Sequence, residues 1–132
     1  MEVKQISAAL GAEITNVDLA QVSDDQVEEI KSLLTEHKVI FFPGQKLSQD
    51  EHVEYGAKFG ELEGHPNLKN KTVTHPKIFE LAASSGGIAD EWHTDITFQD
   101  SPAIMSVLHM VKCPELGGDT MWSNLNAAYE AL

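Results

Sequence analysis

The spacing of hydrophobic and polar positions changes period several times along the chain, and each change marks an element. Residues 5–22 read as strands and turns: Ile6, Ala8 and Leu10 alternate before Gly11, and Ile14, Val17 and Leu19 follow. Val27, Ile30, Leu33 and Leu34 then recur at helical spacing. Ser23 precedes them with Gln26 three residues on, the spacing of a capping box, and Asp24 and Asp25 suit the positive end of a helix dipole. An amphipathic helix is expected over 24–37. Val39-Ile40-Phe41-Phe42 reads as a short buried strand closed by Pro43-Gly44. Ser48 and Glu51 repeat the capping-box spacing and predict a second helix from Gln49 to Phe59, stopped by Gly60.

The second half is richer in turns and β-favouring residues. Residues 61–77 hold no period, 78–81 read as a strand, and Ser84-Ser85-Gly86-Gly87 as a loop. Trp92 to Phe98 is β-favouring. Residues 103–111 alternate, with Ile104, Ser106, Leu108 and Met110 on one side and Met105, Val107, His109 and Val111 on the other. Pro114 to Asp119 is a turn, Thr120 to Trp122 a further strand, and Ser123 or Asn124 caps a last helix through Tyr129. With no internal repeat, low-complexity tract or linker, 1–132 reads as a single domain. The sequence ends at Leu132 inside a helical pattern without Gly, Pro or polar stop signals. An incomplete domain and a domain with a frayed last helix both fit that ending.

Composition narrows the classes. Hydrophobic residues make up 42% and charged residues 23% of the 132, ordinary globular usage that excludes bulk disorder. Nine basic residues against 21 acidic ones give a net charge of −12, which disfavours nucleic acid and anionic lipid as partners. No run approaches the roughly 20 apolar residues of a membrane span. Met-Glu-Val-Lys-Gln does not start a secretory signal. The single cysteine, Cys113, can form neither an internal disulfide nor a zinc cluster, so a reducing, cytoplasmic setting is expected and the thiol is read as inert.

The densest chemical signal is Trp92-His93-Thr94-Asp95. On an extended segment, side chains at i and i+2 point the same way, so His93 and Asp95 aim an imidazole and a carboxylate at one point. That is two-thirds of the facial triad of non-haem Fe(II) oxygenases, in which two His and one carboxylate leave positions open on the metal. His-x-Asp alone is also the pattern of a surface hydrogen bond. A zinc site on the same pair is a poorer match, because zinc hydrolases supply three ligands and a base.

The surrounding motifs decide between these readings. Trp92-His93-Thr94-Asp95-Ile96-Thr97-Phe98, Pro102, Gly117-Gly118-Asp119-Thr120-Met121-Trp122 and Ala127-Ala128-Tyr129-Glu130-Ala131-Leu132 resemble the TauD/TfdA family of Fe(II)- and 2-oxoglutarate-dependent dioxygenases. His37-Lys38-Val39-Ile40-Phe41-Phe42-Pro43-Gly44-Gln45 is similar to that family's first core strand and turn, and Phe59-Gly60-Glu61-Leu62 with His65-Pro66 is similar to the segment that follows. The resemblance runs over all 132 residues, in order, and covers the N-terminal half of such an enzyme. It implies a mainly β fold with flanking helices (α+β), a double-stranded β-helix or jelly roll, here an incomplete barrel with exposed edges. It implies Fe(II) held by His93 and Asp95, and 2-oxoglutarate contacted by the Thr120 hydroxyl. It implies an anionic substrate group contacted by His65, and O2 as co-reactant.

The resemblance also shows what is missing. The family's second histidine ligand and its cosubstrate arginine lie downstream, and no His or Arg follows His109. The chain alone is therefore expected not to turn over. Leu68 and Ala89 stand where taurine-type members carry a tyrosine and an asparagine. That points to a small anionic organic substrate with an apolar body: an alkyl sulfonate, an alkyl sulfate or an aryloxyalkanoate, with taurine still admissible. The contrasting reading is a non-catalytic β-sandwich binding or interaction module. A homo-oligomer is compatible with either. His37, His52, His75 and His109 are given no role.

Overall fold

The computed structural model describes residues 1–63, 75–81, 90–95 and 97–132. They fall into two compact units, one formed by Met1–Lys46 with Met110–Leu132 and the other by Leu47–His109. The first is built on a three-stranded mixed sheet of β1 (Glu2–Gln5), β2 (Ala12–Thr15) and β3 (Ile40–Phe41), in that order. β1 and β2 are antiparallel, with Glu2 opposite Thr15 and Gln5 opposite Ala12. β2 and β3 are parallel, with Ala12 opposite Ile40. Parallel neighbours cannot be joined by a hairpin, and the crossover here is helix α1 (Asp24–His37).

Period 2 in β2 meets period 3.6 in α1 to make the core. Ala12 and Ile14 point inward while Glu13 and Thr15 stay half-buried. Val27 and Ile30 come from the inner face of α1, and Leu19 and Val22 from the turn between. Ile14 and Ile30 are the largest fully buried side chains, each contributing about 1.5–3 kcal/mol by leaving water.

The expected alternation at Ile6, Ala8 and Leu10 does not make a strand; the strand lies earlier, at Glu2–Gln5. Local hydrogen bonds capture the backbone instead. The Ile6 N–H donates to Gly11 O at 3.1 Å, and Ser7 Oγ accepts from the Ala9 N–H at 3.2 Å. Gly11 sits at φ +99°, where a Cβ would press on the Ile6 side chain at 3.1 Å.

Both capping boxes form. Ser23 Oγ accepts from the Gln26 N–H at 3.3 Å and Gln26 Oε1 accepts from the Ser23 N–H at 2.9 Å. Ser48 Oγ accepts from the Glu51 N–H at 3.2 Å, and Glu51 Oε2 from the Ser48 N–H at 2.8 Å, opening α2 (Gln49–Ala57) in the second unit. α2 stops two residues short of Phe59, and the Lys58 and Phe59 N–H groups finish it as a tighter turn onto Tyr55 and Gly56. Tyr55 and Phe59 are buried and meet edge to face at 5.1 Å.

In the first unit, α3 (Leu125–Glu130) is capped by Asn124 and not by Ser123. Asn124 Oδ1 accepts from the Ala127 N–H at 3.1 Å, and Asn124 Nδ2 donates to Ala9 O at 2.7 Å. Trp122 meets Phe41 edge to face at 5.2 Å.

The strands expected at 78–81, 103–111 and 120–122, and the β-favouring run 92–98, in which Ile96 lies outside the described residues, form no ladder among the described residues. A strand needs a neighbouring segment to take up its N–H and C=O groups in a ladder. Burial alternates only over 104–108, where Met105 and Val107 are half-buried while Ile104, Ser106 and Leu108 are exposed; His109 and Val111, of the same parity as Met105, are exposed. Trp92, Phe98 and Leu108 stay about three-quarters exposed or nearly so, at 69%, 76% and 72%, so these apolar side chains are not core. The observed architecture is a mixed sheet with helices. Among the described residues, no helix is long and apolar enough to cross a membrane.

Candidate metal centre

The second unit carries the Trp92–Asp95 motif on an irregular segment that bends at Glu91 and again at Asp95. His93 Nδ1 lies 2.8 Å from Glu91 O. A carbonyl only accepts, so Nδ1 carries a proton, and in the neutral ring the lone pair then lies on Nε2. That Nε2 atom lies 3.5 Å from Asp95 Oδ1. The other carboxylate oxygen, Oδ2, accepts from Ser106 Oγ at 2.8 Å. Both ligand candidates are more than half exposed, at 59% and 62% of their side chains. Within the motif the Thr94 and Thr97 hydroxyls share a hydrogen bond.

With a neutral ring, Nε2 and Asp95 Oδ1 are two acceptors facing each other across a gap, while Nδ1 and Oδ2 are each engaged elsewhere. At 3.5 Å the gap exceeds the 2.7–3.2 Å of a good N–H···O bond. A metal ion bonded to each atom at about 2.0–2.2 Å spans it. A nitrogen and a carboxylate oxygen suit a first-row divalent ion such as Fe(II). Oriented imidazoles at metal sites characteristically donate their second N–H to a carbonyl, as His93 does to Glu91. The i and i+2 side chains converge here through a bent loop; no strand pleat is involved. Among the described residues, no group of three or more His, Cys, Asp and Glu converges to hold a metal, so the pair stands as two donors.

Thr120 belongs to the first unit, exposed in the irregular run before α3. The turn that delivers it needs two successive left-handed residues, Gly117 at φ +77° and Gly118 at φ +72°. His65, Leu68 and Ala89 lie outside the described residues. Cys113 is exposed and free.

Sequence reasoning passed over three residues that the structure ties to this segment. Ser106 was read only as one position of an alternating strand. His52, given no role by the sequence, is half-buried on α2, and its Nε2 lies 3.1 Å from Val107 O. His109 packs edge to face on His52 at 5.7 Å. The signal available in advance was parity: Ser106 is the one polar residue in the row Ile104, Ser106, Leu108, Met110.

Comparison with known proteins gives the same direction. The family model described as "Taurine catabolism dioxygenase TauD, TfdA family" matches residues 2–132. The chain is 40% identical to the alkylsulfatase of Acinetobacter baylyi, covering all of this chain and 42% of that protein. It is 39% identical to the alpha-ketoglutarate-dependent sulfate ester dioxygenase of Pseudomonas putida, covering all of this chain and 44% of that protein. Among solved structures, a taurine dioxygenase from Burkholderia xenovorans superimposes with a TM-score of 0.51 at 38% identity, over 57% of this chain and 27% of that one. The chain thus spans less than half the length of the curated relatives it matches.

Proposed function

We infer that this chain, which belongs to the TauD/TfdA dioxygenase family, supplies two of the protein ligands of an Fe(II) centre in a 2-oxoglutarate-dependent dioxygenase that hydroxylates a small anionic organic substrate. The observation that carries the inference is the 3.5 Å convergence of His93 Nε2 and Asp95 Oδ1, each with its other polar atom already engaged. Fe(II) and 2-oxoglutarate, when bound, would supply the oxidising chemistry, in which O2, the keto acid and a substrate C–H become succinate, CO2 and the hydroxylated product. The chain's own residues position and select. Glu91 O fixes the His93 tautomer so that Nε2 is the ligating atom. The Thr120 hydroxyl donates to the distal carboxylate of 2-oxoglutarate, which selects a dicarboxylic acid. His65 donates an N–H to the anionic head of the substrate. Leu68 and Ala89, apolar where taurine-type members are polar, favour a hydrophobic body on that anion.

Alkyl sulfates fit this description best, and the names of the two curated relatives support that choice. The complete site sits in a double-stranded β-helix of which residues 1–132 are one part of a single domain. The remaining histidine ligand and the cosubstrate arginine come from outside these residues.

Anaerobic calorimetric titration of the chain with Fe(II) tests the site. Binding is expected and is lost in His93→Ala and in Asp95→Ala; equal binding by the wild type and both variants refutes it. The chain alone, given Fe(II), 2-oxoglutarate and O2, is expected to form no succinate. Joined to the remaining portion of the Acinetobacter relative, it is expected to consume hexyl sulfate faster than taurine or an aryloxyacetate. Faster taurine consumption refutes the substrate assignment.

A further inference from the structure

Asp95 is more than half exposed, and a free carboxylate there rotates to present either oxygen. Ser106 removes that freedom. Its hydroxyl must be the donor, since an ionised carboxylate only accepts, and at 2.8 Å to Oδ2 the bond is charge-assisted. Oδ1 is left as the oxygen facing His93 Nε2. The bond joins residues eleven apart in sequence and ties the motif loop to the alternating segment 103–111.

That segment has no ladder among the described residues, so something other than a sheet must set the height of Ser106. Two features do. Met105 and Val107 are half-buried, so parity turns Ser106 the opposite way, toward Asp95. Val107 O also accepts from His52 Nε2 at 3.1 Å, and the His52 ring is braced edge to face by His109. His52 stands on α2, whose start is pinned by the Ser48–Glu51 capping box. The chain of contacts therefore runs from a helix, through one imidazole and one peptide, to a hydroxyl and then a carboxylate. All its members lie within the second unit.

We propose that Ser106, held in place by His52 of α2, is a positioning residue that selects which Asp95 oxygen meets the metal. The proposal rests on the reading of His93 and Asp95 as metal ligands. Partners that orient a metal ligand typically change affinity 10- to 100-fold when removed.

The test titrates the full 132-residue chain with Co(II), followed by its visible absorption bands. Ser106→Ala is expected to weaken Co(II) binding about 10- to 100-fold, with an unchanged urea midpoint. Ser106→Thr, which keeps the hydroxyl, is expected to restore it. His52→Phe, which keeps a ring against His109 but loses the donor, is expected to weaken binding in the same direction. In the metal-free chain the Asp95 carboxyl 13C resonance is expected to move in Ser106→Ala. Loss of Co(II) binding in His93→Ala together with unchanged affinity in Ser106→Ala overturns the role of Ser106 alone. Unchanged Co(II) affinity in His93→Ala overturns the metal reading and the role of Ser106 with it.

Discussion

Gln45 offers a quantitative test of how the first unit is held together. Its half-buried side-chain amide acts as an extra peptide group laid against the 17–19 turn. Oε1 accepts from the Leu19 N–H at 3.1 Å and Nε2 donates to Val17 O at 2.9 Å. Leu19 is part of the core and begins the short 3-10 turn Leu19–Gln21. Gln45→Ala leaves one donor and one acceptor without these partners. Each neutral hydrogen bond contributes about 0.5–1.5 kcal/mol net, so the pair contributes roughly 1–3 kcal/mol. Water reaches part of the site, which places the expected loss at about 1–2 kcal/mol. With a urea slope of about 2 kcal/mol/M, the unfolding midpoint falls by about 0.5–1 M. Gln45→Glu keeps the acceptor and loses the donor, so its loss is smaller. Circular dichroism in the near and far ultraviolet follows the transition, and coincident curves license the two-state treatment. A midpoint for Gln45→Ala equal to that of the wild type refutes the reasoning, because it means the two bonds do no more than water does.

Two further outcomes concern pH. The Ser48 backbone N–H, and secondly the Ser48 hydroxyl, hold the exposed Glu51 carboxyl below the usual carboxylate range. A lowered pKa contributes stability that is present above the ordinary value and lost as pH falls through the lowered one. The stability gap between wild type and Glu51→Gln should therefore close on acidification, as read by the helical signal; a gap independent of pH refutes the capping role of the charge. Burial pushes the Tyr55 phenol up to about 12. A raised phenol pKa favours the neutral form in the fold, so this contribution is complete below the ordinary value of about 10 and is lost as pH rises toward 12. Alkaline unfolding should be coupled to tyrosinate absorbance and should retreat to higher pH in Tyr55→Phe; an unshifted alkaline transition refutes the assignment.

What could be read in advance divides by range. Both helices with capping boxes were legible, because a Ser and the Gln or Glu three residues on satisfy each other within one turn. The strand at Ile40–Phe41 was legible from four apolar residues ahead of Pro43-Gly44. The error at residues 6–10 was also local, since Ser7 offers the backbone an alternative that periodicity does not see. His93 and Asp95 were found together because they lie two positions apart, although a bend and not a pleat brings them to 3.5 Å.

The sequence by itself determined the capped helices, the short strand before Pro43-Gly44 and the identity of the two converging donors, since each depends on neighbours within about one turn or one strand. Only the tertiary structure decided which His93 nitrogen meets Glu91 O, which Asp95 oxygen faces the ring, and that His52 and Ser106 stand behind that carboxylate. It also decided that burial alternates only over 104–108, without a ladder. Hydrogen bonds between residues 11 and 55 positions apart leave no period in a sequence, and a strand exists only where another chain segment meets it.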